Sequence, residues 1–360
     1  MKYHKKIESF LREAMAGLIR IHNIPRSTRI LLGAVAAISG LIFIIKFNTY
    51  REELISPTPT NSPDGVVSFQ NIQVPYLQLV PRFTLFYPWV VVTAIFAEVS
   101  IIALIISVVV LYVSTKYVEK YWSWKEVIKF VLVVGSITNF VSVIVTIVSN
   151  IARGDVAGMD QPLGGGISYY FGFLVVFKQL IPEHNIVLFQ GLVNFRVKHL
   201  PFTALVVVVL WSALVTRSLY PVVPSVNSFI VSYTYLRFFQ SFAVDPLLPI
   251  TSASSDAANS SLITGDASDT FQLVEFFPSI TKPYLSVVFD KGYELFVFLG
   301  VVTPFNDESV EQSNLRAQKR QEQVSQAQKS VANSVAERRR QVALQVIEER
   351  INKEAATSST

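Results

Sequence analysis

The chain has 360 residues, 51% of them hydrophobic and 16% charged, with a mean hydropathy of +0.42, a balance that argues against a water-soluble globular domain. It has no cysteine, so disulfides, a thiolate nucleophile and thiolate metal sites are excluded. The net charge of +5 gathers in the tails and some loops, which fits a membrane protein under the positive-inside rule better than a nucleic-acid binder.

Residues 1–29 carry seven Lys/Arg, and Ile7, Phe10, Leu11, Met15, Leu18 and Ile19 recur at helical spacing. This basic amphipathic segment reads either as a helix on the membrane surface or as a plain flanking cytosolic helix. No cleavable signal peptide is expected, because the first apolar run begins near residue 30. Residues 30–47 form the first predicted span, with Lys46 placed to snorkel at its far end. A polar, turn-rich loop follows (residues 48–83, SPTPTNSPDG within it). The apolar block 85–113 is too long for one straight span. Its first part, FYPWVVVTAIFAE, reads as a membrane-embedded or interfacial loop, and residues 97–113 as the second span.

Residues 116–129 are a short basic turn with Trp122 and Trp124 at the interface. Residues 130–151 form the third span, which contains Asn139. Residues 164–181 form the central span. It opens Gly-Gly-Gly-Ser-Tyr-Tyr if Ile167 is passed over, and its small residues let neighbouring helices approach closely. The stretch is roughly 24 Å long against a hydrocarbon core of about 30 Å, so it belongs inside a bundle, shielded by longer helices. A polar loop (182–200) leads to the fifth span, 202–216, and a tight Pro-rich loop to the weakest, 226–239, whose interfacial end is marked by Tyr233, Tyr235 and Arg237. The expected fold is therefore an all-α polytopic membrane protein with a six-span domain over residues 30–240.

The N-terminus, the second–third turn and the fourth–fifth loop carry 14 Lys/Arg, counting Lys178 at the edge of the central span. The opposite side carries five: Lys46, Arg51, Arg82, Arg153 and Arg217. Both termini are thus expected in the cytosol, and the sequon at Asn259 should be unmodified. Residues 241–270 are Ser/Ala/Asp-rich and read as a disordered linker. Residues 271–305 are apolar but interrupted by Asp290, Lys291 and Glu294, which favours a membrane-proximal segment over a seventh span. Residues 306–360 read as a charged cytosolic helix. Val324, Val331, Val335, Val342 and Val346 make a weak heptad stripe, compatible with a partner helix or with a solvated amphipathic tail.

Six spans, a short Gly/Ser central helix and a Trp-bearing loop before the second span resemble the rhomboid-like superfamily. That resemblance implies a nucleophilic serine in a G-x-S-G motif on the central helix, a histidine on the sixth span and a Trp-Arg pair in the first loop. This sequence departs at each place. Ile167 stands at the serine position, with Gly165 as the first Gly of the motif. VNSFIVSYTYLRFFQ has no histidine, and the Trp-Arg pair reads Trp89-Val90. The supporting histidine of the second span is absent from IFAEVSIIALI. The chain is more similar still to the transmembrane protein 115 family, through VVFKQ (175–179), YTYLRFFQ (233–240), EFFP (275–278) with Pro283, and AERRRQVALQVIEER (336–350). The resemblance covers roughly residues 30–350. It implies a Golgi membrane protein without protease activity or cofactor, linked to retrograde Golgi-to-ER transport, whose cytosolic tail contacts vesicle-tethering proteins. By analogy with related pseudoproteases, the core would bind transmembrane helices of client proteins; a homo-oligomer is compatible with this reading.

Ser168 is the sharpest candidate for chemistry, yet no span offers a His, or a Lys away from its ends, as its base, so helix packing is the preferred reading. Glu98 lies just inside an apolar block, where an unpaired charge costs about 2.5–3.5 kcal/mol at mid-membrane. It reads as an interfacial residue where the embedded loop turns into the second span, the alternative being a polar cavity shared with Asn139 or Ser168. Trp89 reads equally as an anchor of the loop or as a member of an aromatic belt. Gly165, Gly166 and Gly172 are assigned to close helix packing, with Arg237 a further structural position. Glu337, Arg338, Arg339 and Arg340 are the candidate partner-binding residues, by their charge and by the family match to that stretch; a solvated helix face is the alternative. An intramembrane hydrolase using Ser168 and a small-solute transporter are the other function classes. The transporter lacks paired intramembrane charges and an internal repeat.

Overall fold

An apolar helix in water hides its aliphatic side chains. In this protein the helices do the reverse. In the computed structural model, residues 24–55, 69, 72–98, 100–155, 157–188, 193–216, 218–243 and 262–357 are described. They form two units, Met1–Val176 with Pro201–Leu236 and Phe177–Leu200 with Arg237–Thr360. Residues 1–23 lie outside the described residues, and so do residues 244–261, which include Asn259.

The first unit holds most of the helices. These are α1 (Arg26–Ile55), the short α2 (Val90–Thr93) running into a 3₁₀ turn (Ala94–Phe96), α3 (Ile101–Val118), α4 (Trp124–Arg153), α5 (Ile167–Leu180) up to Val176, α6 (Leu200–Trp211) from Pro201, and α7 (Val222–Thr234). Among the described residues four stretches are long and apolar enough to cross a membrane: Arg26–Glu52, Ile101–Val118, Trp124–Arg153 and Val197–Thr216. The apolar α5 is shorter, at 14 residues, or about 21 Å. α7 continues as a π-turn, Tyr235–Phe239. The molecule is an all-α polytopic membrane protein of the expected class.

On α3 the buried side chains are Ser107, Leu111, Ser114, Thr115 and Val118, while Ile101, Ile102, Ile105, Ile106 and Val109 are exposed. The hydroxyl residues face the protein, together with Leu111 and Val118, and the outward face is all aliphatic, the arrangement lipid favours. α7 follows the same rule through Ser225, Ser228 and Ser232. It packs on α4, where Asn227 Nδ2 donates to Ser142 Oγ at 3.1 Å and the Tyr235 ring lies 5.8 Å from Phe130. α1 meets α3 through Thr28 and Thr115, whose hydroxyls are 2.7 Å apart. The N-terminus of α1 is closed by Glu119, which accepts from the backbone N–H of Arg26 (3.1 Å) and Ser27 (3.0 Å) and from the Ser27 hydroxyl. The Lys46 side chain, placed from sequence to snorkel, is covered by protein atoms.

The second unit contains the end of α5, two two-stranded antiparallel sheets and two further helices, α8 (Lys282–Phe298) and α9 (Asp307–Thr357). Strand β1 (Asn185–Leu188) pairs with β2 (Val193–Arg196) inside what reads from sequence as a polar loop. Strand β3 (Ser241–Ala243) pairs with β4 (Leu262–Thr264). These strands and the buried residues Asp266, Ala267 and Ser268 fall in the stretch expected to be a disordered linker, so for 241–243 and 262–270 that expectation is corrected. A carbonyl-lined turn and a salt bridge hold them, as described below. The charged tail is a single 51-residue helix.

Candidate functional site

The residues Gly164 and Gly165 adopt φ of +112° and +82°, a region open to glycine and costly for side chains with a Cβ. This turn ends the incoming loop and starts α5. It is pinned by two backbone bonds, Leu163 N to Leu79 O at 2.7 Å and Gly165 N to Ala94 O at 2.8 Å, and by the Tyr220 hydroxyl donating to Gly164 O at 2.7 Å. The embedded loop thus lies against the start of the central helix, with Val90, Ala94, Ile95 and Phe96 buried.

Glu98 completes the turn. Its Oε1 accepts from Gly166 N at 2.6 Å and from the Ser107 hydroxyl, and Ser107 Oγ lies 2.6 Å from the Tyr170 hydroxyl. Glu98 N in turn donates to Ser39 Oγ at 3.0 Å, and Ser39 Oγ donates to Phe96 O at 2.8 Å. A carboxylate supplied by a different segment therefore caps the N-terminus of α5, where unpaired N–H groups and the helix dipole favour negative charge. A Cβ on Gly165 would stand 2.6 Å from Glu98 Oε2. Glu98 is thus neither a bare interfacial charge nor a partner of Asn139 or Ser168.

Those two residues are engaged elsewhere. Asn139 Nδ2 donates to Val91 O at 3.0 Å, tying α4 to the broken helix. Ser168 is buried and its hydroxyl donates to Gly165 O at 3.0 Å. Gly172 presents its N–H to Ser228 Oγ at 3.2 Å, and a Cβ there would press on Phe130. Trp89 is 53% exposed, donates from Nε1 to Tyr76 O at 3.2 Å and meets Tyr87 edge-on at 5.3 Å, so it is held to its loop on one side only. Chemically the cluster offers a carboxylate, the Ser107 hydroxyl and the Tyr170 phenol in a hydrogen-bonded chain. Among the described residues no group of three or more His, Asp or Glu is placed to hold a metal.

In the second unit Arg237 donates from Nη1 to the carbonyls of Asp266 (2.6 Å) and Ser268 (2.7 Å). The Asp266 carboxylate accepts from Gln179 Nε2 at 2.9 Å and from Arg320 Nη2 at 3.1 Å. Ala267 N donates to Ser313 Oγ at 3.1 Å, and Asp269 exchanges bonds with Asn314. Burial alone would raise the Asp266 carboxyl, but the Arg320 guanidinium and the bonds from Ser268, Gln179 and Arg320 outweigh it and hold the group below the ordinary carboxylate value. Sequence reading missed Asp266 and Arg320. The available signal was the short apolar run Leu262–Thr264 inside a polar stretch. Farther along α9, Glu337 and Arg340 are exposed, while the side chains of Arg338 and Arg339 lie outside the described residues.

Residues 29–353 match a family described as "Eukaryotic integral membrane protein (DUF1751)". The chain is 31% identical to the transmembrane protein 115 homolog of Saccharomyces cerevisiae over 92% of its own length and 94% of that protein's. It is 28% identical to rhomboid-like protein 19 of Arabidopsis thaliana over 62% of its length and 67% of that protein's. No solved structure matches it.

Proposed function

The chain belongs to the transmembrane protein 115 family of eukaryotic integral membrane proteins, and from that premise we propose that it is a non-catalytic rhomboid-like protein of the Golgi membrane. In this reading it acts in retrograde Golgi-to-ER transport. Both termini face the cytosol, and the charged helix α9 recruits trafficking or tethering proteins, with Glu337–Arg340 on the recruiting surface. The six-helix core anchors that helix and binds transmembrane helices of clients.

One observation carries the non-catalytic part. At the start of the central helix Ile167 stands where a rhomboid serine would be, and the helix N-terminus that would face a reacting carbonyl is already occupied by Glu98. An oxyanion site needs free, aimed N–H donors. The nearest serine, Ser168, gives its hydroxyl to a backbone carbonyl instead of receiving help from a base. The recruiting role rests on the tail resemblance and on the length of α9, about 77 Å.

The test has two arms in cells lacking the protein. A serine-reactive probe should label the full chain no more than its Ser168→Ala variant; labelling lost in the variant means a hydrolase. A retrograde-transport reporter should be restored by the full chain and not by residues 1–320. Full restoration by the shortened chain removes the tail from the mechanism.

A further inference from the structure

Residues of the second unit line an open cavity of about 610 Å³, well within the size range of small-ligand sites. Its wall is built by Arg196, Lys198 and His199, where β2 turns into α6, and by Glu275, Phe277 and Lys282. Behind it Lys178 is buried, its ammonium 3.4 Å from the Phe276 ring centroid, with no hydrogen-bond partner. Among the described residues two carboxylates answer the wall's three cations, Arg196, Lys198 and Lys282. Glu183 accepts from both Arg196 and Lys198 at 3.2 Å, and Glu275 from Lys282 at 2.7 Å. One positive charge is left over, which suits an anionic headgroup.

The cavity has an apolar neighbour. α8 begins at Lys282 and has no buried residue. Phe289 and Tyr293 lie on one side of it, against Phe277 (5.6 Å) and Phe238 (6.1 Å). Tyr284, Val288, Leu295 and Phe298 are exposed and fall along one other stripe of the helix. The cavity wall also runs directly into a segment long and apolar enough to span a membrane, Val197–Thr216, so Arg196 and Lys198 stand at a hydrocarbon boundary. Basic pockets at such boundaries suit lipid headgroups.

We propose that this cavity binds the headgroup of an anionic phospholipid, its acyl chains lying along the exposed stripe of α8. The inference is independent of the trafficking role and of the absence of catalysis.

The test uses the full chain in neutral detergent. Dioctanoyl phosphatidylinositol 4-phosphate should bind at least 10-fold more tightly than dioctanoyl phosphatidylcholine. It should also bind at least 10-fold more tightly than inositol 1,4-bisphosphate or inorganic phosphate. The double variant Arg196→Gln/Lys282→Gln should lose at least 10-fold. If that variant is polydisperse, Arg196→Gln alone, at a side chain 55% exposed, should lose at least 3-fold. Equal binding of phosphatidylcholine, or undiminished binding by a monodisperse variant, overturns the proposal. Soluble phosphates binding as tightly as the lipid would make this a soluble-anion site and overturn the lipid assignment.

Discussion

A carboxylate set against a helix N-terminus gains both from the N–H groups it accepts and from the helix dipole. Glu98 does this for α5 and Glu119 for α1. Glu98→Ala leaves Gly166 N–H without its acceptor and should cost about 1–3 kcal/mol, whereas Glu98→Gln keeps an acceptor and should cost less than about 1 kcal/mol. Thermal unfolding in detergent separates them, and equal losses would contradict the capping role. Gly165→Ala meets both the positive φ and the Glu98 carboxylate and should lose at least about 1–2 kcal/mol. Gly33→Ala, with no atom within 4 Å of the new Cβ, should lose nothing. Asp266 makes a pH prediction. Its folded pKa lies below the unfolded value of about 3.9. The ionised carboxylate therefore stabilises the fold fully above that unfolded value, and the contribution disappears as pH falls through the lower folded one. The stability gap between wild type and Asp266→Asn should be flat above about pH 5 and close on acidification. The glycine triplet was legible as a place of close approach. That the approaching group is Glu98, from a segment 68 residues earlier, was not legible, because nothing local in either segment refers to the other.

At the scale of elements, outward-facing and protein-facing residues differ in kind. The hydroxyls at Ser107, Ser114 and Thr115 mark the packed face of α3. Thr115→Val should lose the bond to Thr28 and about 0.6 kcal/mol, the usual worth of such bonds between membrane helices. Ile105→Val on the exposed face should be near neutral, and a larger loss there than at Thr115 would reverse the assignment of faces. The β1–β2 hairpin escaped notice because four-residue strands carry too few alternations to stand out from a mixed loop. The first turns of α9 are tied to the loop 265–269 by Ser313, Asn314 and Arg320. Residues 1–320 should therefore purify as a monodisperse protein. Residues 1–306 strip Asp266 of its cation, a loss of about 3–5 kcal/mol for a buried pair, and should aggregate on gel filtration.

For the whole molecule the positive-inside count makes a topological prediction. Epitope tags at both ends should be digested by protease in cells whose plasma membrane alone is permeabilised, and Asn259 should carry no glycan. A glycan at Asn259 would place the following segment on the opposite side and displace the tail from the cytosol. The all-α polytopic membrane class was determined by the sequence itself, because the cost of exposing backbone and polar groups to hydrocarbon is written locally, residue by residue, as hydropathy and length. The membership of the tail in a long helix was equally local, since no Pro or Gly interrupts it after Asp307. Only the tertiary structure decided which polar groups meet: Glu98 with Gly166, Asp266 with Gln179 and Arg320, Arg237 with two carbonyls. Such pairs depend on segments distant in the chain arriving at one place, and short-range pattern has no term for that.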